Sequence, residues 1–217
     1  MNLVCGYKSW DYKAYSKLFG FGGEQWAYCN CLDVVSVKLM NPERIFFLHW
    51  SWIVPNEIVD NYECIGFHMT NLPYGRGGTP LQNLIVRGHE YTSLTAFRMD
   101  RGIDTGGIYL KGDLYIGDGT AESIYKECND LAVEMIGEII KKNLKPVTQT
   151  GETTVFRRRK PEDSQIPEAS TLDQTYDFIR MLDAEGYPHA FLKNGLTYEF
   201  TGANLYDGYI EAKVRIS

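Results

Sequence analysis

The 217-residue chain has no long apolar run, no cysteine framework and no basic surplus, and each absence excludes a class of protein. A membrane helix needs roughly 20 consecutive apolar residues, whereas the apolar stretch 45–52 is already interrupted by His49 and Ser51. The start of the chain has neither the basic region nor the apolar core of a signal peptide. These features predict a cytoplasmic protein without a membrane partner.

Charge and cysteine content limit which binding partners and metals we expect. The formal net charge is -6, so the chain lacks the basic surplus that neutralises phosphates, and we expect no nucleic acid as a partner. The five cysteines are an odd number without framework spacing, which predicts reduced thiols. Cys29 and Cys31 form C-x-C instead of the C-x-x-C of common zinc sites, and the histidines lack metal-ligand spacing. We therefore predict no metal.

The order of apolar segments predicts an α/β fold. Short strand-like runs, such as Asn2 to Gly6 and Arg44 to His49, alternate with helix-like segments. The clearest helix is Ala121 to Leu144, where Thr120 can act as the N-cap. This order predicts a Rossmann-like, mostly parallel sheet with helices on both faces. In such sheets, sites form in the loops at the carboxyl ends of the strands.

The last quarter of the chain has a different pattern. Residues 161–170 are polar and contain two prolines, which predicts a linker. One helical segment and three strand-like segments follow, which predicts a small α+β appendage. The predicted domains are therefore a catalytic domain, residues 1–160, and a C-terminal subdomain, residues 161–217.

Two loops carry the residues with the most chemistry. His68 opens a loop rich in proline and glycine, HMTNLPYGRGGTP (68–80), and Asp104 begins an Asp-Thr-Gly-Gly turn. Each has a structural alternative, a turn histidine for His68 and an Asx-turn for Asp104. The two side chains can form an acid–base unit only if the fold brings the loops together.

These two loops and the segments around them follow one another along the chain in an order that can be compared with known families. The segments are FFLHWSWIVP (46–55), IGFH (65–68), RGHE (87–90) and MDRGIDTG (99–106). Together they resemble the folate-dependent formyltransferases, and the segments 154–163 and 178–188 resemble the sugar N-formyltransferase branch. The resemblance implies an enzyme that uses 10-formyltetrahydrofolate as the formyl-donating cosubstrate, and a homodimer.

The resemblance also implies that His68 and Asp104 are catalytic. In that role His68 donates to the formyl oxygen where charge develops, and Asp104 transfers the proton, directly or through water. The family's third catalytic residue is an Asn two positions before the His, but this chain has Gly66 there. Either another donor, with Asn71 and Asn83 as candidates, replaces the amide, or the protein is catalytically altered.

A pterin-binding loop is implied by the resemblance at residues 50–54. A flat heteroaromatic ring fits an apolar slot, which the side chains of this loop can supply. Ordinary core packing of the two tryptophans is the alternative. The segment 99–102 is expected to close the other side of the slot. The predicted cofactor-binding residues are Trp50, Trp52, Ile53, Val54, Met99, Arg101 and Gly102.

Predicted substrate-binding residues lie on two further loops. Lys8 and Ser9 follow the first strand, at a strand end where a phosphate can bind, although no G-x-G-x-x-G or Walker pattern is present. Arg76 and Gly77 lie in the glycine-rich loop, which allows close approach to the backbone. Arg76 either contacts the acceptor or braces the loop.

The expected acceptor is a nucleotide-linked amino sugar, a UDP- or dTDP-linked 4-amino-4,6-dideoxyhexose. Its product would serve lipopolysaccharide or another surface glycan, by the resemblance to enzymes of pseudaminic acid-type synthesis. The acidity and length of the chain argue against tRNA. Three alternatives stay open: another small amine as acceptor, hydrolysis of the donor by a deformylase, and a folate- or nucleotide-sugar-binding protein without turnover.

Overall fold

The computed structural model describes residues 1–217, which divide into two compact units. The first unit comprises residues 1–77, 93–114 and 125–155, and the second comprises residues 78–92, 115–124 and 156–217. The second unit thus includes two internal segments as well as the C-terminal region. The predicted domains, residues 1–160 and 161–217, divide the chain at a single point, and that division stays a prediction.

A six-stranded sheet forms the frame of the first unit. Its strands are β1 (Asn2–Cys5), β2 (Trp26–Cys29), β3 (Arg44–Phe47), β4 (Glu63–His68), β6 (Tyr91–Arg98) and β7 (Ile108–Tyr115). The order is β2-β1-β3-β4-β6-β7, with β1 to β4 parallel and β6 antiparallel to β4. The predicted α/β fold with a mostly parallel sheet is confirmed. All four residues of β1 are buried, as expected for a strand covered on both faces.

The remaining short strands are β5 (Arg76–Gly77) and β8 (Val155–Phe156). The helices are α1 (Ser9–Ser16), α2 (Val34–Met40), α3 (Asn56–Asn61), α4 (Pro80–Ile85), α5 (Ala121–Lys142) and α6 (Leu172–Arg180). Thr120 caps α5 as predicted, because its Oγ1 accepts from the Ser123 N–H at 3.2 Å. None of these helices combines the length and apolarity needed to cross a bilayer.

Helix α2 was not predicted from the sequence. Its residues include three valines, which favour strands. Asp33 decides the local structure, because its carboxylate caps the helix by accepting from the Ser36 N–H at 2.8 Å. Val37 then packs into the core of the first unit, where it is 1% exposed.

The register of the parallel strands determines which loops meet. Cys5 of β1, Phe47 of β3 and Gly66 of β4 are aligned across the sheet. The loops that leave these strands therefore emerge at one edge. His68 ends β4 at that edge, and the loop 50–54 follows β3.

The second unit contains a three-stranded antiparallel sheet. Its strands are β9 (Ala190–Asn194), β10 (Leu196–Tyr206) and β11 (Tyr209–Ile216), in the order β11-β10-β9. Arg180 of α6 is 3% exposed, and its guanidinium donates to the carbonyl oxygens of Ile116 and Asp118. The predicted linker begins with a 3₁₀ helix, Pro161–Ser164, because Pro161 suits the first turn and Asp163 accepts from the Lys160 N–H.

Candidate active site

His68 lies almost fully buried at the end of β4, with 7% of its surface exposed. Its Nε2 is 2.8 Å from the carbonyl oxygen of Gly75. A carbonyl only accepts, so Nε2 carries a proton and Nδ1 is the nitrogen that can gain or lose one. Nδ1 lies 3.6 Å from Oδ2 of Asp104. The structure therefore brings the two predicted catalytic residues together.

Asp104 reaches this position through an unusual backbone conformation. Its φ is +54°, in the left-handed region that residues other than glycine seldom adopt. Its Oδ2 accepts from the Gly77 N–H at 2.9 Å, so the carboxylate bonds to another loop instead of closing an Asx-turn of its own. The carboxylate is thus aimed at the histidine and held by the glycine-rich loop.

The glycine-rich loop holds both members of the pair. The carbonyl of Gly75 binds His68, and the N–H of Gly77 binds Asp104. The φ values of Gly75 and Gly77 are +72° and +103°, a region that glycine enters without steric cost. Glycine at positions 75 and 77 therefore suits this double contact.

Gln149 belongs to the same network, although the sequence did not indicate it. Its Nε2 donates to the carbonyl oxygens of Asp104 at 2.8 Å and Gly106 at 2.7 Å. Its Oε1 accepts from Nη2 of Arg76 at 2.7 Å. A single amide in an irregular polar segment has no local signature, so only the contacts reveal this residue.

The structure explains why residue 66 is a glycine. A Cβ at Gly66 would lie 2.8 Å from Cε1 of Phe97 and 3.4 Å from Cγ of Met99. The Phe97 ring therefore occupies the space that an asparagine would need.

The two candidate replacement donors differ in which end of the amide is engaged. The amide nitrogen of Asn83 donates to the carbonyl oxygens of Gly78 and Thr79, each at 3.0 Å. Oδ1 of Asn71 accepts from the ammonium of Lys111. The amide nitrogen of Asn83 is therefore engaged with other groups, whereas the contact of Asn71 occupies only its oxygen.

The predicted cofactor residues divide into two groups. Trp50 and Met99 pack, partly buried, against the core cluster that contains Val54, which is 5% exposed. The indole Nε1 of Trp50 is buried and has no hydrogen-bond partner. These three residues pack in the core, so the structure shows the core-packing alternative for Trp50, and their role in binding a pterin stays a prediction.

The other predicted cofactor residues are more exposed or engaged elsewhere. Trp52 is 54% exposed and Ile53 is 92% exposed, so both are accessible to a ligand. The guanidinium of Arg101 pairs with Asp60 at 2.7 Å. At Gly102 an added Cβ would meet Thr105 Oγ1 at 2.1 Å, so this position requires glycine for the turn itself.

The turn after β1 is held by an internal carboxylate. Asp11 is fully buried, and its Oδ2 accepts from the N–H groups of Tyr7 and Lys8, each at 2.9 Å. Its Oδ1 accepts from the Asn129 amide at 2.7 Å, and burial raises the pKa of Asp11. The two N–H groups that a phosphate would use are thus already paired. Ser9 is exposed.

An aromatic cluster lies beside this turn. The Tyr7 ring is 4.4 Å from the Trp52 ring, and the Lys8 ammonium lies 5.4 Å from the Tyr7 ring centroid. His49 packs edge-on against Tyr125 at 4.2 Å. Burial, with a smaller effect from Lys8, lowers the pKa of His49 to about 4. His49 is therefore neutral at pH 7. No group of three or more potential metal ligands occurs in the structure.

Comparison with known proteins gives two family matches. Residues 33–140 match the family described as Formyl transferase, and residues 161–217 match the C-terminal domain of methionyl-tRNA formyltransferase. The formyltransferase family uses 10-formyltetrahydrofolate as its formyl donor, which confirms the predicted cosubstrate class.

Individual relatives agree with these matches. A solved structure of a methionyl-tRNA formyltransferase from Clostridium thermocellum is 45% identical, covers 100% of this chain and 99% of that one, and has a TM-score of 0.93. A methionyl-tRNA formyltransferase from Thermodesulfovibrio yellowstonii is 30% identical over 168 residues, which cover 74% of this chain and 54% of the relative. This chain thus spans about half the length of the curated relatives it matches. HypX from Aquifex aeolicus, solved with tetrahydrofolic acid, shares the fold at a TM-score of 0.76 and 17% identity, over 93% of this chain and 37% of that one.

These relatives overturn the predicted acceptor and partners. The expectation of a nucleotide-linked amino sugar, with its surface-glycan and pseudaminic acid context, is wrong, and so is the exclusion of nucleic acid. The first rested on two short segments, of which 178–188 lies in the region that matches the C-terminal domain of methionyl-tRNA formyltransferase. The second rested on net charge and on chain length. Net charge averages the whole surface and does not report a local contact with RNA, and residues 161–217 match the C-terminal domain of methionyl-tRNA formyltransferase despite the short chain. The predicted homodimer stays a prediction.

Proposed function

Because this chain belongs to the formyltransferase family, we propose that it transfers the formyl group of 10-formyltetrahydrofolate to the α-amino group of methionyl-tRNA. The observation that supports the transfer is the pair of Nδ1 of His68 and Oδ2 of Asp104, 3.6 Å apart. The acceptor is suggested by relatives named methionyl-tRNA formyltransferase. We place the reaction in the cytoplasm.

The cosubstrate supplies an electrophilic formyl carbon, and the site must manage one proton and one developing charge. Because Gly75 holds the Nε2–H of His68, a proton on Nδ1 is available for the formyl oxygen as negative charge grows there. Asp104 is close enough to stabilise that imidazolium. Its carboxylate also accepts the proton that the attacking amine loses and returns it, directly or through water, to the leaving nitrogen.

The donor is bound by the apolar slot in this proposal. Trp50, Val54 and Met99 contact the pterin, and the unpaired Nε1–H of Trp50 donates to its edge. Exposed Trp52 and Ile53 cover the ring from the solvent side. Arg101 and Gly102 shape the facing turn.

The acceptor is bound by the two neighbouring loops. Arg76 has Nε and Nη2 on Gln149, which leaves Nη1 for an acceptor oxygen or phosphate. Gly77 permits close approach of that acceptor to the backbone. Lys8 and Ser9 extend the surface at the same sheet edge, where the Lys8 charge favours an anionic acceptor.

A direct assay tests this proposal. The chain is mixed with 10-formyltetrahydrofolate and methionyl-tRNA, and the aminoacyl group is released and analysed by mass spectrometry for N-formylmethionine. Free methionine and uncharged tRNA are the acceptor controls. His68→Ala is expected to lower turnover by about a hundred- to a thousand-fold, whereas His89→Ala, in the second unit, keeps wild-type turnover.

The outcomes separate the candidate activities. Formate released without an acceptor would indicate a hydrolase. Absence of N-formylmethionine, under conditions where a methionyl-tRNA formyltransferase is active, would reject the proposed acceptor. Product that persists in His68→Ala would reject the assigned mechanism.

A further inference from the structure

Gln149 joins the Arg76 loop to the Asp104 loop through both ends of one amide. The nitrogen end donates to the carbonyl oxygens of Asp104 and Gly106, at 2.8 and 2.7 Å. The oxygen end accepts from Nε and Nη2 of Arg76, at 3.2 and 2.7 Å. The side chain therefore contacts the backbone of the catalytic carboxylate and the guanidinium of the proposed acceptor loop.

We propose that Gln149 is a positioning residue that holds Asp104 against His68 and orients Arg76 toward the acceptor. The left-handed backbone of Asp104 is disfavoured for a residue with a side chain, so it needs neighbours that hold it. Gln149 does this from the carbonyl side, and the Gly77 N–H does it from the carboxylate side. The kinetic consequences of this inference rest on the proposed function.

The contacts point to positioning rather than to folding. Gln149 is only half-buried, in a segment without helix or strand, so solvent can satisfy the carbonyls it would leave. The Asp104 turn is also held by other hydrogen bonds, because the Arg98 N–H donates to the carbonyl oxygen of Gly107 at 2.7 Å and the Thr105 hydroxyl donates to Oδ1 of Asp100 at 2.6 Å. Loss of Gln149 should therefore displace Asp104 without unfolding its turn.

Two substitutions separate the two ends of the amide. Gln149→Glu keeps an oxygen for Arg76 but sets a second oxygen against the carbonyls of Asp104 and Gly106. We expect its kcat to fall by about 10-fold or more while KM for the acceptor changes by less than about 3-fold. Gln149→Met removes both the oxygen and the nitrogen of the amide. We therefore expect kcat to fall and KM for the acceptor to rise as well. Gln165→Met, at an exposed glutamine of the second unit, is the matched control and keeps wild-type kinetics.

A double-mutant cycle shows whether Gln149 acts through Asp104. In an Asp104→Asn background, Gln149→Glu should lower kcat by no more than about 2-fold, because the group it positions is already impaired. A merely structural role would multiply the two losses. Multiplied losses, or wild-type kcat in Gln149→Glu, would overturn the inference.

Hydrogen exchange tests the same inference without turnover. The Gly77 N–H is bonded to the Asp104 carboxylate, so its exchange rate reports where that carboxylate lies. We expect exchange at Gly77 to rise by about 10-fold in Gln149→Glu, while amides of β1 keep wild-type rates. Unchanged exchange at Gly77 would reject the inference, whereas a wild-type chain that yields no product would count only against the proposed function.

Discussion

The ring of Phe97 stands where a side chain at Gly66 would begin, with Cε1 2.8 Å from the Cβ position. β4 and β6 pair Gly66 directly with Phe97, so the contact is built into the strand register. The glycine and the phenylalanine are therefore complementary, and neither is expected to change alone without cost.

Gly66→Asn tests this complementarity. We expect it to lower the free energy of unfolding by about 1–3 kcal/mol, as overpacking does, and Phe97→Leu in the same chain to recover part of that loss. Gly20→Asn is a suitable control, because Gly20 has φ +77° and open space around its Cβ position. The measurement is urea unfolding. A Gly66→Asn variant as stable as wild type would show that the Phe97 ring can move aside without an energetic cost.

The buried pair of Asp11 and Asn129 is expected to be energetically coupled. The Asp11 carboxylate takes its 2.7 Å bond from Asn129 while also holding the Tyr7 and Lys8 N–H groups. A double-mutant cycle with Asp11→Ala and Asn129→Ala should give a coupling of about 1.5–3 kcal/mol, the range for hydrogen bonds to charged groups. Thermal and urea unfolding provide the four stabilities. Additive losses would mean that the bond contributes nothing of its own.

His49 should make stability depend on pH. Burial and Lys8 lower its folded-state pKa from 6.5 to about 4. The unfolded chain then binds the proton more readily, so the contribution of His49 is complete above pH 6.5 and is lost as pH falls toward 4. By pH 5 the loss should reach about 1–2 kcal/mol.

The control for His49 is His49→Asn, since asparagine tolerates the left-handed φ of +48° at this position. The variant should lose less stability than the wild type between pH 7 and pH 5, as measured by urea unfolding at each pH. Equal losses would show that His49 titrates normally in the folded state.

Thiol reactivity should follow burial. Cys64 and Cys128 are buried, and burial raises the pKa of each to about 12. Cys31 is exposed. Iodoacetamide at pH 8 should therefore label Cys31 and leave Cys64 and Cys128 unlabelled until the chain is unfolded. Peptide mass spectrometry reads the order, and early labelling of Cys128 would contradict the packing around α5.

Much of the fold followed from local patterns. Strands β1 and β3 are short apolar runs, and α5 has a cap and a helical period, so each was predicted close to its observed position. Helix α2 was missed because its valines favour strands and its cap, Asp33, decided otherwise. Secondary-structure propensity predicts such a segment poorly, because one capping hydrogen bond and one buried side chain are enough to favour the helix.

Only those residues of the candidate site that lie in recognisable sequence motifs could be predicted. His68 and Asp104 stand in segments with a familiar order, and the structure brings their side chains together. Gln149 was missed because its partners come from two distant loops, and nothing in its own segment reflects them.

The sequence by itself determined the broad class of this protein: short apolar strands, a capped amphipathic helix, no membrane-length run and a formyltransferase motif order. These are properties of neighbouring residues, which composition and periodicity record. Only the tertiary structure shows which nitrogen of His68 faces Asp104 and which backbone group binds the Asp104 carboxylate. It also explains why residue 66 is a glycine. Those depend on distances between atoms far apart in the chain, which become definite only when the strands pair and the loops pack.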